Sequence, residues 1–451
     1  MTPRLPLLAL VALGALAIAS PATAQIDGIS ATDLSCSTSP TGHIVWRTGD
    51  HVWTFDFVRP ALTRTAETPN GAGVELQNVT YDGRLVFRRA GVPVLNVEYD
   101  DNDSGCSCFR DWQYEEAPFE AGTPLTGARS CISVPDAGSV TSTCETGEGG
   151  DVGSFRGVSF ENYGDELVIT SAMKAGWYRY RMKWHLYADG RIWPEFSFTA
   201  AESICTEAAH RHHAYWRFDF DLEGTPSDDE ILEIRNGTPV ALTSEAARTW
   251  GGAPAATSWR VRDAATGFGY AIEPSETDRL LPVDAYSQAD ALALRYRENE
   301  LGDGDGACAF DVAPLVNDES LVGEDVVFWY RSSALHAAGN PFECDIVGPM
   351  LRPFGLAPPL PEGAAAEIEA ARPNPFTPRT SVRFRVRAAQ PARVTLHDAL
   401  GRRLRTLFDG DLAAGRYETV TVDGAGLAPG TYVVVLDGES ARASSRIVLV
   451  R

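Results

Sequence analysis

Through most of its length the chain alternates apolar with polar residues, and this period of two restricts its fold more than any other feature. His51–Val58 and Tyr215–Leu222 are clear examples, and alternation of this kind is typical of half-buried β-strands. The Asp82-Gly83 pair lies between two such segments and predicts a tight turn. Only Ser244–Trp250 has a briefly helical pattern. We therefore predict an all-β fold, with an antiparallel β-sandwich over residues 25–356.

The first 24 residues predict an export signal. Arg4 supplies a positive charge, the run Leu5–Ile18 is apolar, and Ala22-Thr23-Ala24 is a small-x-small cleavage site. The apolar run is shorter than the ~20 residues that a bilayer span needs, so an uncleaved membrane anchor is the weaker alternative. We expect residues 1–24 to be a signal peptide and the mature protein to be exported.

The chain contains 8 cysteines. In an exported protein an even number of cysteines indicates disulfide bonds, although the sequence leaves their pairing open. One close pair is also compatible with metal binding, but no second close pair exists to complete a tetrahedral site. The cysteines are Cys36, Cys106, Cys108, Cys131, Cys144, Cys205, Cys308 and Cys344.

The formal net charge of −22 is unevenly distributed. Residues 371–451 carry 13 arginines and 7 acidic residues, a local charge of +6, so residues 1–370 carry −28. A surface this acidic repels nucleic acid and anionic membranes, and it attracts cations such as metal ions and protonated amines. A solvated acidic surface without any ligand has the same composition.

The sequence pattern of the C-terminal part predicts a second β unit. Residues 357–370 form a Pro/Ala-rich linker, and residues 371–451, the C-terminal tail, predict a small immunoglobulin-like β-sandwich. The opening Pro373–Pro378, the stretch His397–Arg402 and the motif Gly430-Thr-Tyr432 resemble the C-terminal sorting domain of type IX secretion. This resemblance implies that the type IX machinery exports the protein through the periplasm and across the outer membrane, to the cell surface or the medium. The alternative is an ordinary immunoglobulin-like accessory domain.

Three of the 8 histidines are clustered in the string His210-Arg-His212-His213. Because side chains alternate along a strand, His210 and His212 should lie on one face. Two imidazoles on one face, together with a third ligand from elsewhere, bind Cu(II) or Zn(II). A cupin also uses such a pair, but usually with a glutamate three or four residues later, where this chain has Tyr215 and Trp216. A solvated polar strand is the alternative without a metal.

The residues around this pair resemble the copper-ligand strand of the copper amine oxidases. The shared string is His210-x-His212-x-x-x-x-Arg217-x-Asp219-x-Asp221-x-x-Gly224. Downstream, Glu324–Trp329 leads to His336, and Val347–Gly355 resembles the family's closing strand. The resemblance covers about residues 45–356. It implies an amine oxidase-like supersandwich in which His210, His212 and His336 bind copper.

The same resemblance implies a cofactor that is made from the protein itself. Tyr187–Ile192 resembles the turn after the family's cofactor tyrosine, and an ungapped count back from Trp184 gives Tyr178 as the precursor of topaquinone. Leu85–Tyr99 resembles a conserved strand whose last tyrosine, here Tyr99, hydrogen-bonds the quinone. The implied activity is oxidation of a primary amine by O₂ to aldehyde, ammonia and hydrogen peroxide, by a protein that in this family is usually a dimer.

Two departures from the family pattern concern the catalytic residues. The family's Asn-Tyr-Asp/Glu-Tyr motif here reads Trp177-Tyr178-Arg179-Tyr180, and the segment that carries the catalytic base is shortened. Asp100, next to Tyr99, is the candidate base that remains. The alternative function is therefore a non-catalytic copper-binding protein that has lost cofactor formation and the base. A surface protein with structural zinc or copper is a third class.

Three carboxylates match positions that hold a peripheral calcium ion in some members of the family. They are Asp219, Asp221 and Asp325. Several carboxylates on neighbouring strands suit a hard cation such as Ca²⁺. Exposed acidic residues on strands give the same pattern without an ion.

Overall fold

The computed structural model describes the two β units and the strands around the histidines. The described residues are 25–27, 36–37, 39–60, 72–98, 109–110, 158–175, 178–200, 209–235, 237–249, 258–280, 289–298, 300, 312–337, 347–356, 364–412 and 415–450. Within these ranges no helix is both long enough and apolar enough to cross a membrane.

The described part of residues 25–356, the main domain, contains twenty strands and one α-helix, α1 (Glu276–Leu280). In chain order the strands are β1 (Gln25–Asp27), β2 (Cys36–Ser37), β3 (Thr41–Thr48), β4 (His51–Val58), β5 (Ala72–Tyr81), β6 (Arg84–Glu98), β7 (Phe109–Arg110), β8 (Val158–Asn162), β9 (Glu166–Ala175), β10 (Tyr178–Tyr187), β11 (Ile192–Ala200), β12 (His210–Phe220), β13 (Asp229–Arg235), β14 (Thr238–Ala241), β15 (Ala246–Arg248), β16 (Ser258–Asp263), β17 (Gly269–Glu273), β18 (Ala291–Arg295), β19 (Val326–His336) and β20 (Met350–Phe354).

These strands form two antiparallel sheets that pack face to face, which confirms the all-β prediction. Sheet I has the order β1-β3-β4-β5-β6-β12-β19-β18-β15, with β7 paired to β6. Sheet II has the order β14-β13-β16-β17-β20-β11-β10-β9-β8-β2. The two longest pairings of sheet I flank β12, which lies between β6 and β19. The strand with the histidine pair therefore lies in the interior of sheet I.

One predicted turn is confirmed and one predicted helix is wrong. Asp82 and Gly83 join β5 to β6 with φ angles of 51° and 76°, a left-handed geometry that aspartate and glycine tolerate. Ala246–Arg248, inside the segment expected to be helical, is strand β15 and pairs with Ala291–Ala293 of β18. The seven residues of that segment are too few for a helix to be stable alone, so pairing with the neighbouring strand decides the conformation.

Large aromatic side chains fill the space between the sheets. Trp184 of β10 and Trp216 of β12 are fully buried, and their rings meet edge to face with centroids 5.3 Å apart. Edge-to-face contact is a favoured arrangement of aromatic rings. Since β10 belongs to sheet II and β12 to sheet I, this contact holds the two strands opposite each other.

The C-terminal tail forms a smaller sandwich with its own hydrophobic core, which includes Phe384, Val394 and Ile447. Its two antiparallel sheets have the orders β21-β22-β25 and β24-β23-β26-β27. The range 357–370, predicted to be a linker, includes β21. The strands are β21 (Ala366–Ile368), β22 (Arg379–Val386), β23 (Gln390–Asp398), β24 (Arg403–Leu412), β25 (Glu418–Asp423), β26 (Gly430–Gly438) and β27 (Arg442–Leu449).

Candidate metal centre

Strand pairing brings the third histidine to the other two. β12 and β19 pair antiparallel, and His336, the last residue of β19, is the direct partner of His210, the first residue of β12. Directly opposed residues in such a pair have Cβ atoms about 4.5–5.5 Å apart. Residues separated by 126 positions in the sequence are therefore neighbours.

Alternation along β12 decides which histidines face the other sheet. His210 and His212 share the face with His336, and their ring centroids are 5.1 Å apart. His213 has its side chain on the opposite face, where its Nδ1 lies 2.9 Å from the hydroxyl of Ser333 and 3.4 Å from Arg331 Nη1. Only two of the three clustered histidines thus belong to the candidate site.

His210, His212 and His336 converge tightly. Each offers a ring nitrogen, and these three atoms all lie within 4.8 Å of one another. Across the ranges that the structure describes, no other set of histidine, cysteine or acidic side chains meets this criterion. Nδ1 of His336 is 3.1 Å from Nε2 of His210, close enough to share one proton. A metal ion bound at ~2 Å from each nitrogen would take the place of that proton.

The histidines lie in an apolar, aromatic environment. The ring of Phe198, on β11, stacks on His212 with centroids 3.9 Å apart and meets His336 edge-on at 5.6 Å. The hydroxyl of Tyr180, on β10, lies 3.0 Å from Nδ1 of His212. Tyr180 and Phe198 are direct partners in the β10–β11 ladder, so sheet II presents them side by side.

Burial keeps the imidazole of His212 in its metal-binding form. The pKa of His212 lies well below the usual value of a histidine, first because the ring is buried and then because the imidazoles of His210 and His336 are close. Metal binding requires a neutral imidazole. Three imidazole ligands fit Cu(II) or Zn(II), which favour nitrogen donors. The donor set therefore fits the metal that the sequence predicts.

The structure describes the other predicted site residues only in part. Tyr178 is the first residue of β10, and its backbone pairs with Ala175 and Ala200. Its side chain, together with all of Tyr99 and Asp100, lies outside the described residues. The cofactor tyrosine, its hydrogen-bonding partner and the base therefore stay predictions. The same is true of the disulfides, because no cysteine side chain is among those described.

The predicted calcium ligands lie around the other end of β12. Oδ2 of Asp221 accepts hydrogen bonds from Nε and Nη2 of Arg88 at 2.9 and 2.6 Å. Burial raises the pKa of Asp219 to about 7, with Arg217 opposing the rise and Asp325 adding to it. Burial followed by the charge of Asp221 raises the pKa of Asp325 to about 6. The three carboxylates affect one another electrostatically, although their oxygens are less tightly grouped than the histidine nitrogens.

Sequence reasoning missed two residues at these sites. Burial raises the pKa of Asp229 to about 8, and its Oδ2 accepts a hydrogen bond from the backbone N–H of Leu222 at 2.9 Å. This aspartate is close to the other carboxylates because β13 begins directly after the turn that follows β12. Tyr180 is the second missed residue. Its position two residues after Tyr178, on the same face of a strand, was a signal that could have identified it.

Comparisons with known proteins find similarity only among solved structures. No protein-family model and no curated protein matches the chain. Similar structures include a copper-containing benzylamine oxidase from Hansenula polymorpha, with 14% identity over 68% of this chain and 60% of that one and a TM-score of 0.46. Another is a lysyl oxidase from Pichia pastoris, with 14% identity over 68% of this chain and 52% of that one and a TM-score of 0.46. A third is an amine oxidase from Aspergillus nidulans, with 15% identity over 68% of this chain and 52% of that one and a TM-score of 0.47.

This chain thus overlaps 52–60% of the length of those amine oxidases. Because the TM-scores are below 0.5, the overlaps carry no functional argument. What this chain does has to be inferred from its own side chains.

Proposed function

We propose that this protein binds a copper ion through His210, His212 and His336 and oxidises primary amines. The observation that carries the proposal is the convergence of three buried ring nitrogens within 4.8 Å of one another. Three imidazole nitrogens this close together form the kind of nitrogen donor set that Cu(II) and Zn(II) favour. A bound metal ion would accept the lone pairs of these nitrogens.

The chain's own residues would prepare this site for the metal. His210 and His336 come from paired strands, so the β12–β19 ladder holds them in register before the ion arrives. Phe198 covers His212 and keeps water from the ring. In the proposed amine oxidase, bound copper together with O₂ would supply the oxidising chemistry that converts a tyrosine into the quinone cofactor.

The finer assignment, amine oxidation, rests on Tyr178. Side chains two residues apart in a strand share a face, so we expect Tyr178 on the same side of sheet II as Tyr180, whose hydroxyl reaches His212. Tyr99 would hydrogen-bond the quinone, and Asp100 would remove the α-proton of the substrate. The charge of −28 on residues 1–370 favours a protonated amine as substrate. O₂ is the second substrate, and the products are aldehyde, ammonia and hydrogen peroxide.

A non-catalytic copper-binding protein is the second candidate function. The sequence favours it at Trp177 and Arg179, which replace the family's asparagine and carboxylate beside the cofactor tyrosine, and at the shortened segment that should carry the base. A general base typically contributes ~10²–10⁴-fold to a rate. Without one, turnover would be slow even with a quinone in place.

One experiment separates the two functions. The purified protein is loaded with copper in air, scanned for a visible quinone band, and assayed for peroxide release from a panel of aliphatic and aromatic amines. Tyr178→Phe is the control, because it removes only the hydroxyl of the cofactor precursor. Peroxide from the wild type and none from the variant supports amine oxidation. Tight copper binding without peroxide from any amine supports the non-catalytic function.

We also propose that Asp219, Asp221 and Asp325 bind a peripheral calcium ion, with Asp229 beside them. What supports this is the mutual electrostatic effect of three buried carboxylates and the half-buried Asp325 on neighbouring elements. A divalent cation would relieve their repulsion.

The cellular location is the last part of the proposal. The signal peptide at residues 1–24 and the sorting motifs of the tail support export by the type IX machinery to the cell surface or the medium. In that oxidising location the 8 cysteines would form disulfides. By analogy with the amine oxidase family, the exported protein would be a homodimer.

A further inference from the structure

The hydroxyl of Tyr180, on sheet II, contacts a ring nitrogen of the candidate ligand His212. Its Oη lies 3.0 Å from Nδ1 of His212, and both side chains are fully buried. The tyrosine ring is held by aromatic neighbours, since Phe196 stacks on it at 5.6 Å and Phe198 packs against it at 6.2 Å. The hydroxyl therefore cannot swing out to water while the two sheets stay packed.

This contact determines which nitrogen of His212 is available to a metal. A neutral imidazole has one N–H and one lone pair. If Nδ1 carries the proton and donates it to Oη of Tyr180, Nε2 is the nitrogen with the lone pair. Metal-binding histidines usually donate their other N–H to a neighbouring acceptor in this way, and that acceptor fixes the ring's tautomer and orientation.

We infer that Tyr180 is a positioning residue of the metal centre, which accepts a hydrogen bond from Nδ1 of His212 and so directs Nε2 of that histidine at the ion. The inference rests on the proposed metal site and adds a residue to it. Tyr180 does not touch the metal in this arrangement. Its role is separate from that of Tyr178, the proposed cofactor precursor two residues earlier in β10.

A phenol, rather than a carboxylate, as the partner of His212 affects the charge of the site. Carboxylates and backbone carbonyls are the usual partners of metal-binding histidines, but a carboxylate at this depth would add a charge to a fully buried, aromatic environment at a high desolvation cost. A phenol oxygen accepts the hydrogen bond without adding charge. The site then stays neutral before the metal arrives.

The test uses Tyr180→Phe, which removes the hydroxyl and keeps the ring that packs on Phe196 and Phe198. We expect Cu(II) and Zn(II), titrated against a competing chelator, to bind about 10–100-fold more weakly than to the wild type. Tyr187→Phe is the matched control. It lies on the same strand but on the opposite face, near Glu166, and should bind both metals as the wild type does.

A second measurement follows the proton of His212 directly. In the zinc-loaded, ¹⁵N-labelled wild-type protein, nitrogen NMR should show His212 with its proton on Nδ1, protected from exchange. In Tyr180→Phe that proton should exchange faster, which a purely structural role of the ring would not produce. Equal metal affinity in Tyr180→Phe, or a proton on Nε2 in the zinc-loaded wild type, would overturn the inference and leave the metal site standing. Absence of metal binding by the wild type would instead overturn the proposed function.

Discussion

His336 lies directly opposite His210 at the end of the β12–β19 ladder, with Nδ1 of His336 3.1 Å from Nε2 of His210. Backbone hydrogen bonds of a central strand pair hold the two residues, so their positions do not depend on a loop. A metal site built on paired strands is more rigid than one built on loops. Two of the three candidate ligands are thus placed before any ion binds.

Removal of His336 should therefore abolish tight metal binding. We expect His336→Ala to weaken Cu(II) binding by more than the ~100-fold upper range seen for residues that only support a ligand. The measurement is a competition titration with a chelator of known affinity. His43→Gln is the control, because His43 is an exposed histidine paired with Asp56. Similar affinities for both variants would contradict the three-histidine site.

The His185 network predicts a pH dependence of stability. Nδ1 of His185 lies 2.7 Å from Glu166 and its Nε2 lies 2.9 Å from Glu195. Burial lowers the pKa of His185, but the two hydrogen bonds outweigh it and the net pKa is raised. The hydrogen bond to His185 is the main cause that lowers the pKa of Glu166. Burial raises the pKa of Glu195, but the hydrogen bond to His185 and the nearby charges of Lys183 and His185 together lower it by more, so its net pKa is also lowered.

The directions of these pKa shifts define the pH range in which the network stabilises the fold. The histidine's contribution is complete below its unfolded pKa of about 6.5 and is lost as pH rises through the higher folded value, whereas the glutamates contribute above about 4.5. Replacing His185 by Gln should cost about 1.5–3 kcal/mol near pH 5.5 and less at pH 8.5. Chemical denaturation of both proteins at the two pH values measures this. A loss of unfolding free energy in the His185→Gln variant that grows with pH would contradict the raised pKa of His185.

The buried carboxylates predict a different pH effect on calcium binding. The pKa values of Asp219 and Asp229 are raised to about 7 and about 8, so folding loses stability as pH rises from the unfolded value near 4 through these values. A bound cation should restore that loss. We expect CaCl₂ to raise the melting temperature more at pH 8.5 than at pH 6, and Asp325→Asn to reduce this gain. An equal effect at both pH values would argue for unspecific screening.

The tail should be separable from the main domain. It has its own core. Ion pairs between the two units include Arg416 with Glu223 at 3.6 Å and Arg387 with Asp50 at 3.3 Å. The Arg387–Asp50 pair is exposed, and exposed ion pairs stabilise by roughly 0–1 kcal/mol. The Glu223 side chain is buried, but without the tail it keeps Arg84 of the main domain as a partner at 3.4 Å. Deleting residues 359–451 should leave a folded main domain that is no longer exported. Calorimetry and a secretion assay test the two halves of this prediction, and aggregation of the truncated protein would contradict it.

Local sequence patterns determined the class of fold and the relation between two of the three candidate histidine ligands. Alternation of apolar and polar residues indicates strands because it is a local property of each segment, and Asp82-Gly83 indicates a turn because those two residues tolerate left-handed backbone angles. The same local rule placed His210 and His212 on one face. The resemblance of the surrounding residues to a family, rather than any local rule, pointed to His336.

Only the tertiary structure decided the contacts between distant strands. The register of β12 against β19 sets His336 opposite His210, and the packing of sheet II on sheet I brings Tyr180 to His212. Ala246–Arg248 became a strand through pairing with β18, against its local pattern. Register and sheet packing depend on side chains from the whole core, so they are not encoded in any one segment.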